Sequence, residues 1–418
     1  MKNINITIVG LGYVGLPLAI EFSKHFIVKG FDIDQQRINE LISGHDHTNE
    51  ISKEILQNAS DIVFTTKIED IRESNVFIIT VPTPVDNFKK PDLTTLKNAT
   101  NTIAEIIKKD DVIIYESTVY PGCTEEICVP LLEDKSGLIF NKDFFCGYSP
   151  ERINPGDKVN TLSKIVKVTS GSDEKTAEFV DNLYLKIIKA GTHKASSIKV
   201  AEASKAIENA QRDLNISFMN ELSLIFDRIN IDTNEVIEAA ATKWNFLKFK
   251  PGLVGGHCIS VDPYYLTYKA ESLGYYPEVI LSGRRVNEAI PNFVASKCNK
   301  LLISKDIRVK SSDALILGVT FKENCPDIRN SKVPVIYHDL KSFGLNVDIY
   351  DPYADPKEVY AEFGINLLDK IEKNYELIVL AVSHENFISL DFKKLKKQNS
   401  IIFDLKSVLD KSIVDSRL

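Results

Sequence analysis

The feature that most constrains the fold is a glycine-rich turn that directly follows the first apolar run of the chain. Gly10, Gly12 and Gly15 form a GxGxxG pattern at the end of the β-branched run 4–9. In a strand–turn–helix unit, the first glycine permits the tight turn, the second lets the backbone approach a diphosphate, and the third allows close helix packing. The pattern predicts a βαβ unit that binds a dinucleotide, and a glycine turn without a ligand is the alternative.

An acidic residue at the end of the next apolar run indicates which dinucleotide is bound. Asp32 follows the run 27–31, at the position where a carboxylate accepts hydrogen bonds from the adenosine ribose hydroxyls. Its negative charge would repel a 2'-phosphate, so NAD is favoured over NADP. Arg37 favours the opposite choice, because a nearby arginine can accommodate that phosphate.

Short apolar runs alternate with helix-like segments at both ends of the chain. Uninterrupted apolar strands are typical of a parallel sheet covered by helices on both faces. We therefore predict an α/β protein with two Rossmann-like, doubly wound parallel-sheet domains, at 1–195 and 310–418, joined by a central helical region at 196–302. The runs that predict strands are 4–9, 27–31, 62–64, 76–81, 112–115, 314–318, 347–350, 377–382 and 401–403.

The central region begins with a long apolar stripe at helical spacing. Such a stripe either packs against the domains of its own chain or forms a homodimer interface, and the sequence leaves both open. A coarse repeat also links the two halves, since the second half carries Asp351 after an apolar run but lacks the glycine pattern. The stripe consists of Ile198, Ala201, Ile207, Leu214, Phe218, Leu222, Ile225 and Ile229.

Charge and composition exclude several classes of function. The formal net charge is -7 and the pI is near 5.7, so no basic surface for nucleic acids or anionic membranes is expected. Apolar runs are far shorter than the ~20 residues that span a bilayer, and no signal region precedes the first strand, which favours a cytoplasmic location. The six cysteines form no CxxC pair, which argues against a disulfide framework or a structural metal site.

The segment GGHCISVD, residues 255–262, contains candidate catalytic groups. Paired glycines give a substrate access to the backbone, Cys258 follows them, and Asp262 lies four residues further on. A lone cysteine is more often a buried structural thiol. A dehydrogenase that oxidises the same carbon twice, however, needs a nucleophile that converts an aldehyde into an oxidisable adduct, and a thiolate does so.

Lys205 and Asn209 are four residues apart and therefore share one face of the predicted helix. A helical lysine is usually a solvated surface charge. Beside a cysteine, however, a lysine would stabilise the thiolate and a developing oxyanion, and an asparagine could donate a second hydrogen bond. The sequence does not decide whether these residues meet Cys258.

Seven ordered motifs resemble those of the UDP-glucose/GDP-mannose dehydrogenase family over nearly the whole chain. The resemblance implies an N-terminal NAD domain, a central dimerising helical region and a C-terminal UDP-binding domain. The motifs are GLGYVGLP at 10–17, VPTP at 81–84, STVYPG at 117–122, SPERINPG at 149–156, KAIEN at 205–209, GGHCISVDPYYL at 255–266 and FKENCPDIRNS at 321–331.

The resemblance also implies roles for individual residues and no metal. It makes Cys258 the nucleophile, while Lys205, Asn209 and Asp262 handle protons, the oxyanion and the hydrolytic water. Glu151 and Thr118 would line the reacting centre. Residues implied to contact NAD are Gly10, Gly12, Tyr13, Val14, Gly15, Asp32, Arg37, Thr83, Thr118 and Arg329. Residues implied to contact a UDP-sugar are Glu151, Arg152, Lys205, Asn209, Phe249, Lys250, Gly255 and Lys322.

Two departures indicate a branch of the family. Residues 257–261 are HCISV, where the UDP-glucose enzymes commonly carry a lysine just before the aspartate, and SPERINPG replaces a different acidic loop. Both variants resemble the UDP-N-acetylhexosamine 6-dehydrogenases. The PYYL ending at 263–266 is more similar to the N-acetylglucosamine and N-acetylgalactosamine enzymes than to the N-acetylmannosamine ones.

The implied activity is NAD-dependent oxidation of a UDP-sugar C6 hydroxyl to a carboxylate, through an aldehyde and a Cys258 thioester, for surface polysaccharide precursors. Two NAD would be reduced for each sugar. UDP-glucose is an alternative substrate. A single-step β-hydroxyacid dehydrogenase would have no use for the GGHC segment, and a non-catalytic NAD or nucleotide sensor would show no turnover.

Overall fold

The computed structural model describes residues 4–59, 61–86, 88–153, 161–256 and 259–418. Within these ranges, the N-terminal sheet contains β1 (Asn5–Val9), β2 (Ile27–Phe31), β3 (Val63–Thr65), β4 (Val76–Ile79), β5 (Asp111–Tyr115), β6 (Phe144–Tyr148), β7 (Lys167–Gly171) and β8 (Thr192–Lys194). The helices between its strands are α1 (Gly15–Ser23), α2 (Gln35–Ile42), α3 (Lys53–Asn58), α4 (Ile68–Ile71), α5 (Thr94–Ala104), α6 (Val129–Ser136) and α7 (Glu174–Leu185). A short π-helix, Thr124–Cys128, precedes α6, and a 3-10 turn, Leu162–Lys164, precedes β7.

The strand order of the N-terminal sheet is β3-β2-β1-β4-β5-β6-β7-β8. Neighbours from β3 to β6 are parallel, whereas β7 is antiparallel to β6. Strands β4 and β5 are buried along their whole length, because helices cover both faces of a parallel sheet. The five strands predicted in this half are confirmed within two residues at each end, and β6, β7 and β8 were not predicted.

The middle of the chain is helical, as predicted. Its helices are α8 (Ile198–Arg228), α9 (Thr233–Ala240), α10 (Asp262–Ser272) and α11 (Glu278–Ser304), and the described part of 196–302 contains no strand. Helix α8 is 31 residues long, which corresponds to about 45 Å at 1.5 Å per residue.

Helix α8 buries polar side chains on one face and exposes apolar side chains on the other, the opposite of an ordinary surface helix. Polar side chains are buried along one face, among them Glu202, Lys205, Asn209, Asp213 and Asn220. Four apolar residues on the other face, Val200, Ile207, Phe218 and Ile225, are 48–55% exposed. Their spacings of seven and eleven residues place them within about 20° of one line along the helix. We call these four residues the apolar stripe. Three of them, Ile207, Phe218 and Ile225, belong to the longer stripe predicted from the sequence, whose Ile198 and Ala201 are buried.

The C-terminal sheet contains β9 (Asp313–Leu317), β10 (Asn346–Tyr350), β11 (Tyr375–Leu380), β12 (Lys396–Asp404) and β13 (Ser416–Arg417), in the order β10-β9-β11-β12-β13. All its pairs are parallel. Helices α12 (Val333–Ser342), α13 (Pro356–Phe363), α14 (Glu385–Ile388) and α15 (Phe392–Leu395) lie between or beside its strands. The predicted fold class, with two Rossmann-like sheets and a long central helix, is confirmed.

The predicted repeat between the two halves extends to backbone contacts. Gly10 and Gly318 have φ of 92° and 93°, and their N–H groups donate to Phe31 and Tyr350 at 2.8 and 2.9 Å. Asp351 differs from Asp32 in being completely buried. Its carboxylate accepts hydrogen bonds from four backbone N–H groups and contacts His384 at 3.1 Å, so it closes its own loop instead of facing a ribose.

The chain forms two compact units. The first unit comprises Met1–Glu208 and Tyr264–Tyr275, and the second unit comprises Asn209–Pro263 and Tyr276–Leu418. Of the helices in the described ranges, none is long and apolar enough to cross a membrane.

Candidate active site

The glycine turn joins β1 to α1 in the first unit. Gly10 adopts a positive φ of 92°, a conformation that side chains disfavour. Gly15 packs so tightly that an added Cβ would lie 1.8 Å from the Gly10 carbonyl oxygen and 2.5 Å from Thr80 Oγ1. The turn therefore needs glycine at both positions for steric reasons.

Gly12 has a different environment from the other two glycines. A Cβ built on Gly12 would meet no atom within 4 Å, so packing in the described chain does not explain the absence of a side chain. Open space over the backbone, just before α1 begins, is what the close approach of a diphosphate requires. The turn therefore fits NAD, and a contact between its diphosphate and Gly12 stays a prediction.

Asp32 lies beside this turn. Its carboxylate accepts hydrogen bonds from the N–H groups of Leu11 at 2.8 Å and Asp34 at 3.0 Å. Because each carboxylate oxygen can accept two hydrogen bonds and Asp32 is only partly buried, lone pairs remain for ribose hydroxyls.

Arg37 supports the turn from the protein interior. The side chain is buried, its Nε donates to the Leu11 carbonyl at 2.8 Å, and its guanidinium pairs with Asp46 at 2.8 Å. The Arg37 charge is thus balanced within the protein, which weakens the case for a 2'-phosphate at this residue. A direct contact of Arg37 with NAD stays a prediction.

Thr83 and Thr118 come together after β4 and β5. Thr83 Oγ1 donates to the Thr118 carbonyl at 2.6 Å. The hydroxyl of Tyr265, from the PYYL segment, donates to the Thr83 carbonyl at 2.9 Å. Ligands of open α/β sheets bind at the carboxyl ends of the strands, and these loops share that edge with the glycine turn. Tyr265 was not among the predicted site residues.

Glu151 follows β6 and belongs to a buried ionic cluster. Its Oε2 accepts a hydrogen bond from Lys167 Nζ at 2.7 Å, and Lys167 also donates to Glu116 Oε2 at 2.8 Å. Arg152 instead pairs with Glu208 at 2.8 Å. Lys167 and Glu116 were not predicted as site residues. Their signal in the sequence is a charged residue within or beside an apolar strand, which normally needs a buried partner.

Asn209 and Asp262 meet in the second unit. Asn209 Nδ2, on α8, donates to Asp262 Oδ2, at the start of α10, at 2.6 Å. Both side chains are buried. Lys205, one turn earlier on α8 and in the first unit, is only 6% exposed, so its interpretation as a solvated surface charge is wrong.

Two of the sequence motifs form one structural element in the second unit. The Gly256 N–H donates to the Arg329 carbonyl at 3.2 Å, and Asn330 Nδ2 donates to the Gly256 carbonyl at 3.1 Å. A Cβ on Gly255 would lie 2.7 Å from the Asn330 carbonyl oxygen, so this packing requires the glycine. His257 and Cys258, including the predicted nucleophile, lie outside the described residues.

The segment before these glycines carries Phe249 and Lys250. Phe249 is partly buried and Lys250 is exposed. The segment is anchored at Gly252, which exchanges two hydrogen bonds with the side chain of Asn220 at 2.8 and 3.0 Å. Asn220 lies on the buried polar face of α8, so the same face that carries Asn209 also positions this segment.

A small cavity lies next to Gly255 at the carboxyl ends of β9, β11 and β12. Its lining includes Thr320, Phe321, Lys332 and Lys406. The predicted residue Lys322 directly follows Phe321, and Arg329 Nε donates to Asp327 at 2.8 Å. Lys406 and Lys332 are cationic residues that the sequence analysis did not single out.

These features define the class of the protein as a nucleotide-binding α/β protein with a turn built for NAD. Comparison with known families identifies the class more closely. The UDP-glucose/GDP-mannose dehydrogenase family matches in three parts: its NAD binding domain over residues 4–188, its central domain over 199–289 and its UDP binding domain over 315–411.

Similar proteins extend this match to the full length. The chain is 54% identical over 422 residues to the UDP-N-acetyl-D-glucosamine 6-dehydrogenase of Pseudomonas aeruginosa, with 100% of both chains covered. It is 52% identical over 411 residues to Protein CapL of Staphylococcus aureus, covering 98% of this chain and 97% of CapL. The solved structure of UDP-D-ManNAc dehydrogenase from Pyrococcus horikoshii superposes with a TM-score of 0.90 at 31% identity, over 99% and 98% of the two chains.

The chain belongs to the UDP-glucose/GDP-mannose dehydrogenase family and is an NAD-dependent dehydrogenase. The family, the fold class and the cofactor predicted from the sequence are confirmed. Its UDP binding domain indicates a UDP-sugar as the substrate.

Proposed function

We propose that the protein oxidises the C6 hydroxyl of a UDP-N-acetylhexosamine, UDP-GlcNAc or UDP-GalNAc, to the carboxylate. The observation that carries the proposal is the 54% identity along the whole chain to a UDP-N-acetyl-D-glucosamine 6-dehydrogenase. UDP-glucose is the second candidate substrate, and the HCISV segment and the SPERINPG loop count against it.

The proposed reaction removes four electrons from one carbon. When bound, NAD accepts a hydride in each of the two oxidations. The Cys258 thiolate forms a C–S bond to the intermediate aldehyde, and loss of the second hydride from this adduct leaves a thioester. Water then cleaves the C–S bond, which releases the carboxylate and returns the thiol. One sugar, two NAD⁺ and one water thus give one carboxylate, two NADH and three protons.

Roles for the polar residues follow from their chemistry. We propose that Lys205 and Asn209 stabilise the oxyanion, and that Asp262 or Glu151 activates the hydrolytic water. Burial of Lys205, Asn209 and Asp262 supports these roles, because a charge acts more strongly where water is excluded. Thr118, held by Thr83, would line the reacting centre.

The three segments of the chain would divide the work. In this proposal, residues 1–195 bind NAD, 196–302 form the helical dimerisation region and 310–418 bind the UDP-sugar. Gly255 and Lys322 are proposed as UDP-sugar contacts. Gly255 lines the cavity near β9, and Lys322 directly follows Phe321, which also lines it. The remaining proposed contacts are Arg152, Phe249 and Lys250 for the sugar nucleotide, and Tyr13, Val14 and Arg329 for NAD.

We also propose that the protein is a homodimer that associates through the apolar stripe. A helix that exposes four large apolar side chains while it buries polar ones needs a partner for its apolar face. A second copy is the simplest partner, since a twofold interface pairs the same patch on both subunits.

The proposed location is the cytoplasm, where the nucleotide sugars that it would use are substrates of soluble enzymes. The UDP-hexosaminuronate product would serve as a precursor of surface polysaccharide.

A panel of UDP-sugars tests the proposal. With NAD in excess, UDP-GlcNAc or UDP-GalNAc should give two NADH per sugar, measured by absorbance, and UDP-glucose should react far more slowly. Cys258→Ser should abolish net turnover while both ligands still bind, because a hydroxyl is hardly ionised at neutral pH.

Cys298→Ser is the matched control, since Cys298 is a completely buried thiol on α11 that has no proposed role. It should keep the two-to-one stoichiometry. Wild-type turnover by Cys258→Ser would remove the nucleophile from the mechanism. Binding of NAD and UDP-sugars without NADH formation by the wild type would support the nucleotide sensor instead.

A further inference from the structure

Three ionisable side chains are buried together in the first unit. Lys167 Nζ, at the start of β7, lies 2.8 Å from Glu116 Oε2 and 2.7 Å from Glu151 Oε2, and the three side chains are 3%, 0% and 9% exposed. Burial alone would favour a neutral lysine. The two carboxylates outweigh burial and raise the pKa of Lys167 above its ordinary value, so the ammonium charge is retained.

The hydrogen bonds that Glu151 already accepts limit how many more its carboxylate can accept. Its Oε1 accepts hydrogen bonds from the N–H groups of Arg152 at 2.6 Å and Ile153 at 2.7 Å. Each carboxylate oxygen accepts at most two hydrogen bonds, so Oε1 cannot accept another. Among the described residues, Oε2 accepts a hydrogen bond from Lys167, which leaves one Oε2 lone pair for water or substrate.

The charge of Glu151 depends on Lys167. Burial by itself would raise the pKa of Glu151, but the charge and hydrogen bond of Lys167 and the two backbone N–H groups hold that pKa below its ordinary value. The nearby Arg152 guanidinium pairs with Glu208. Lys167 is therefore the cation that stabilises the Glu151 carboxylate.

Glu116 takes the other side of Lys167. Its Oε1 accepts a hydrogen bond from the hydroxyl of Tyr184, on α7, and the Lys167 ammonium lies 5.3 Å from the Tyr184 ring. Burial raises the pKa of Glu116 to about 7, against the opposing effect of Lys167. Glu116 therefore shares Lys167 with Glu151, while burial disfavours the charged form of Glu116.

We propose that Lys167 is a positioning residue for thioester hydrolysis, because its ammonium group holds the Glu151 carboxylate in place and leaves one Oε2 lone pair to act on the hydrolytic water. The inference rests on the proposed function and deepens it. It assigns a role to a residue that touches neither substrate nor cofactor in that mechanism.

The test uses double variants that remove the Lys167 cation and the Glu116 carboxyl group together, so that two unpaired acids are not left buried side by side. In K167M/E116Q, Glu151 loses Lys167, so the acidic limb of the kcat–pH profile should move up by at least about one pH unit. K167R keeps the charge and E116Q keeps the lysine, so neither should move the limb upward. K167M/E116L is the second variant, because apolar replacement of a buried ion pair is often well tolerated.

A purely structural role predicts a kcat lowered equally at all pH values, and an unmoved limb in both double variants would overturn the proposal. An upward shift in E116Q would also overturn it. Failure of the proposed function would give a different result: the wild type would form no NADH with any UDP-sugar.

Thermal unfolding gives a measurement that is independent of activity. As the pH falls below the ordinary glutamate pKa of 4.5 and through the lowered pKa of Glu151, protonation of Glu151 should destabilise the wild type. E151Q should reduce this loss of Tm in the wild type and have no such effect in K167M/E116Q. The same effect of E151Q in both backgrounds would contradict the dependence of Glu151 on Lys167.

Discussion

At the scale of single residues, Gly12 and Gly15 separate cofactor binding from folding. Gly12→Ala adds a methyl group where no atom lies within 4 Å, whereas Gly15→Ala would place one 1.8 Å from a carbonyl oxygen. We expect Gly12→Ala to fold with a Tm within about 2 °C of the wild type and to raise the Kd for NAD at least about tenfold, or ~1.4 kcal/mol. Gly15→Ala should lose about 3 kcal/mol of stability or more, because backbone must move.

Calorimetric unfolding and NAD titration of the two variants measure these effects side by side. Gly137→Ala is a control for substitution at a glycine with open surroundings, although its φ of 73° adds a small cost in stability without any effect on NAD. Wild-type NAD affinity in Gly12→Ala would mean that the diphosphate does not lie over that turn.

Motif spacing in the sequence predicts ligand-binding residues well. It predicts less well the residues that support a site through contacts with other side chains. The glycine turn and Asp32 have a fixed local pattern, so their arrangement follows from the sequence. Lys167 contacts Glu116, 51 positions earlier, and Glu151, 16 positions earlier. Only the strand order of the sheet brings these three side chains together, and the sequence does not determine that order.

At the scale of elements, the proposed homodimer depends on the apolar stripe of α8. Ile225→Asp places a charge at the C-terminal end of the apolar stripe, where burial of an unpaired carboxylate in the interface would cost several kcal/mol. We expect this variant to be monomeric, with its fold preserved, because the residue is 48% exposed in the single chain. Light scattering coupled to size-exclusion chromatography measures the mass directly.

Ile388→Asp is the matched control, since Ile388 on α14 is 51% exposed and lies outside the stripe. This control should remain dimeric. An Ile225→Asp variant that keeps the dimer mass would show that α8 does not form the interface, and a monomeric wild type would rule out the homodimer.

The elements that the sequence predicted have either a clear hydrophobic pattern or an adjacent motif. Strands β4 and β5 are almost entirely apolar, and α8 has a helical period over 31 residues. Strands β1 and β2 contain polar residues or glycine, but the glycine turn lies between them and Asp32 follows β2. The missed strand β6 contains Gly147, while β7 begins with Lys167 and ends at Gly171. Polar residues and glycine hide a strand whose burial comes from tertiary contacts, so the sheet was predicted only in part.

At the scale of the whole molecule, the buried carboxyl groups fall into two classes with opposite responses to pH. In Glu151, Asp46 and Asp351, burial is outweighed by cations, histidine and hydrogen bonds, and the pKa is lowered. In Glu116 and Glu202, burial dominates and raises the pKa to about 7. Glu202 nonetheless accepts hydrogen bonds from the N–H groups of Gly122 and Thr124.

The raised pair makes stability depend on pH near neutrality. The folded state holds these two protons up to about pH 7, whereas the ordinary glutamate pKa is 4.5. Their contribution to stability is therefore fully present below pH 4.5 and is lost as the pH rises through about 7. The lowered class is already ionised in this range, so it does not compensate. The loss between pH 6 and pH 8 is about 3 kcal/mol for the two groups together.

Scanning calorimetry at pH 6 and pH 8 tests this balance. The transition of the first unit, which contains both residues, should fall by roughly 6–12 °C, given 2–4 °C per kcal/mol for a unit of this size. E116Q/E202Q keeps the shape of both side chains without an ionisable group, so most of this difference in Tm should disappear. Buried Asp111, whose pKa is raised to about 6, should leave a small remainder. E385Q, at an exposed position, should retain the wild-type slope. If Tm depends on pH as strongly in E116Q/E202Q as in the wild type, the titrating groups must lie elsewhere, because glutamine has no ionisable proton.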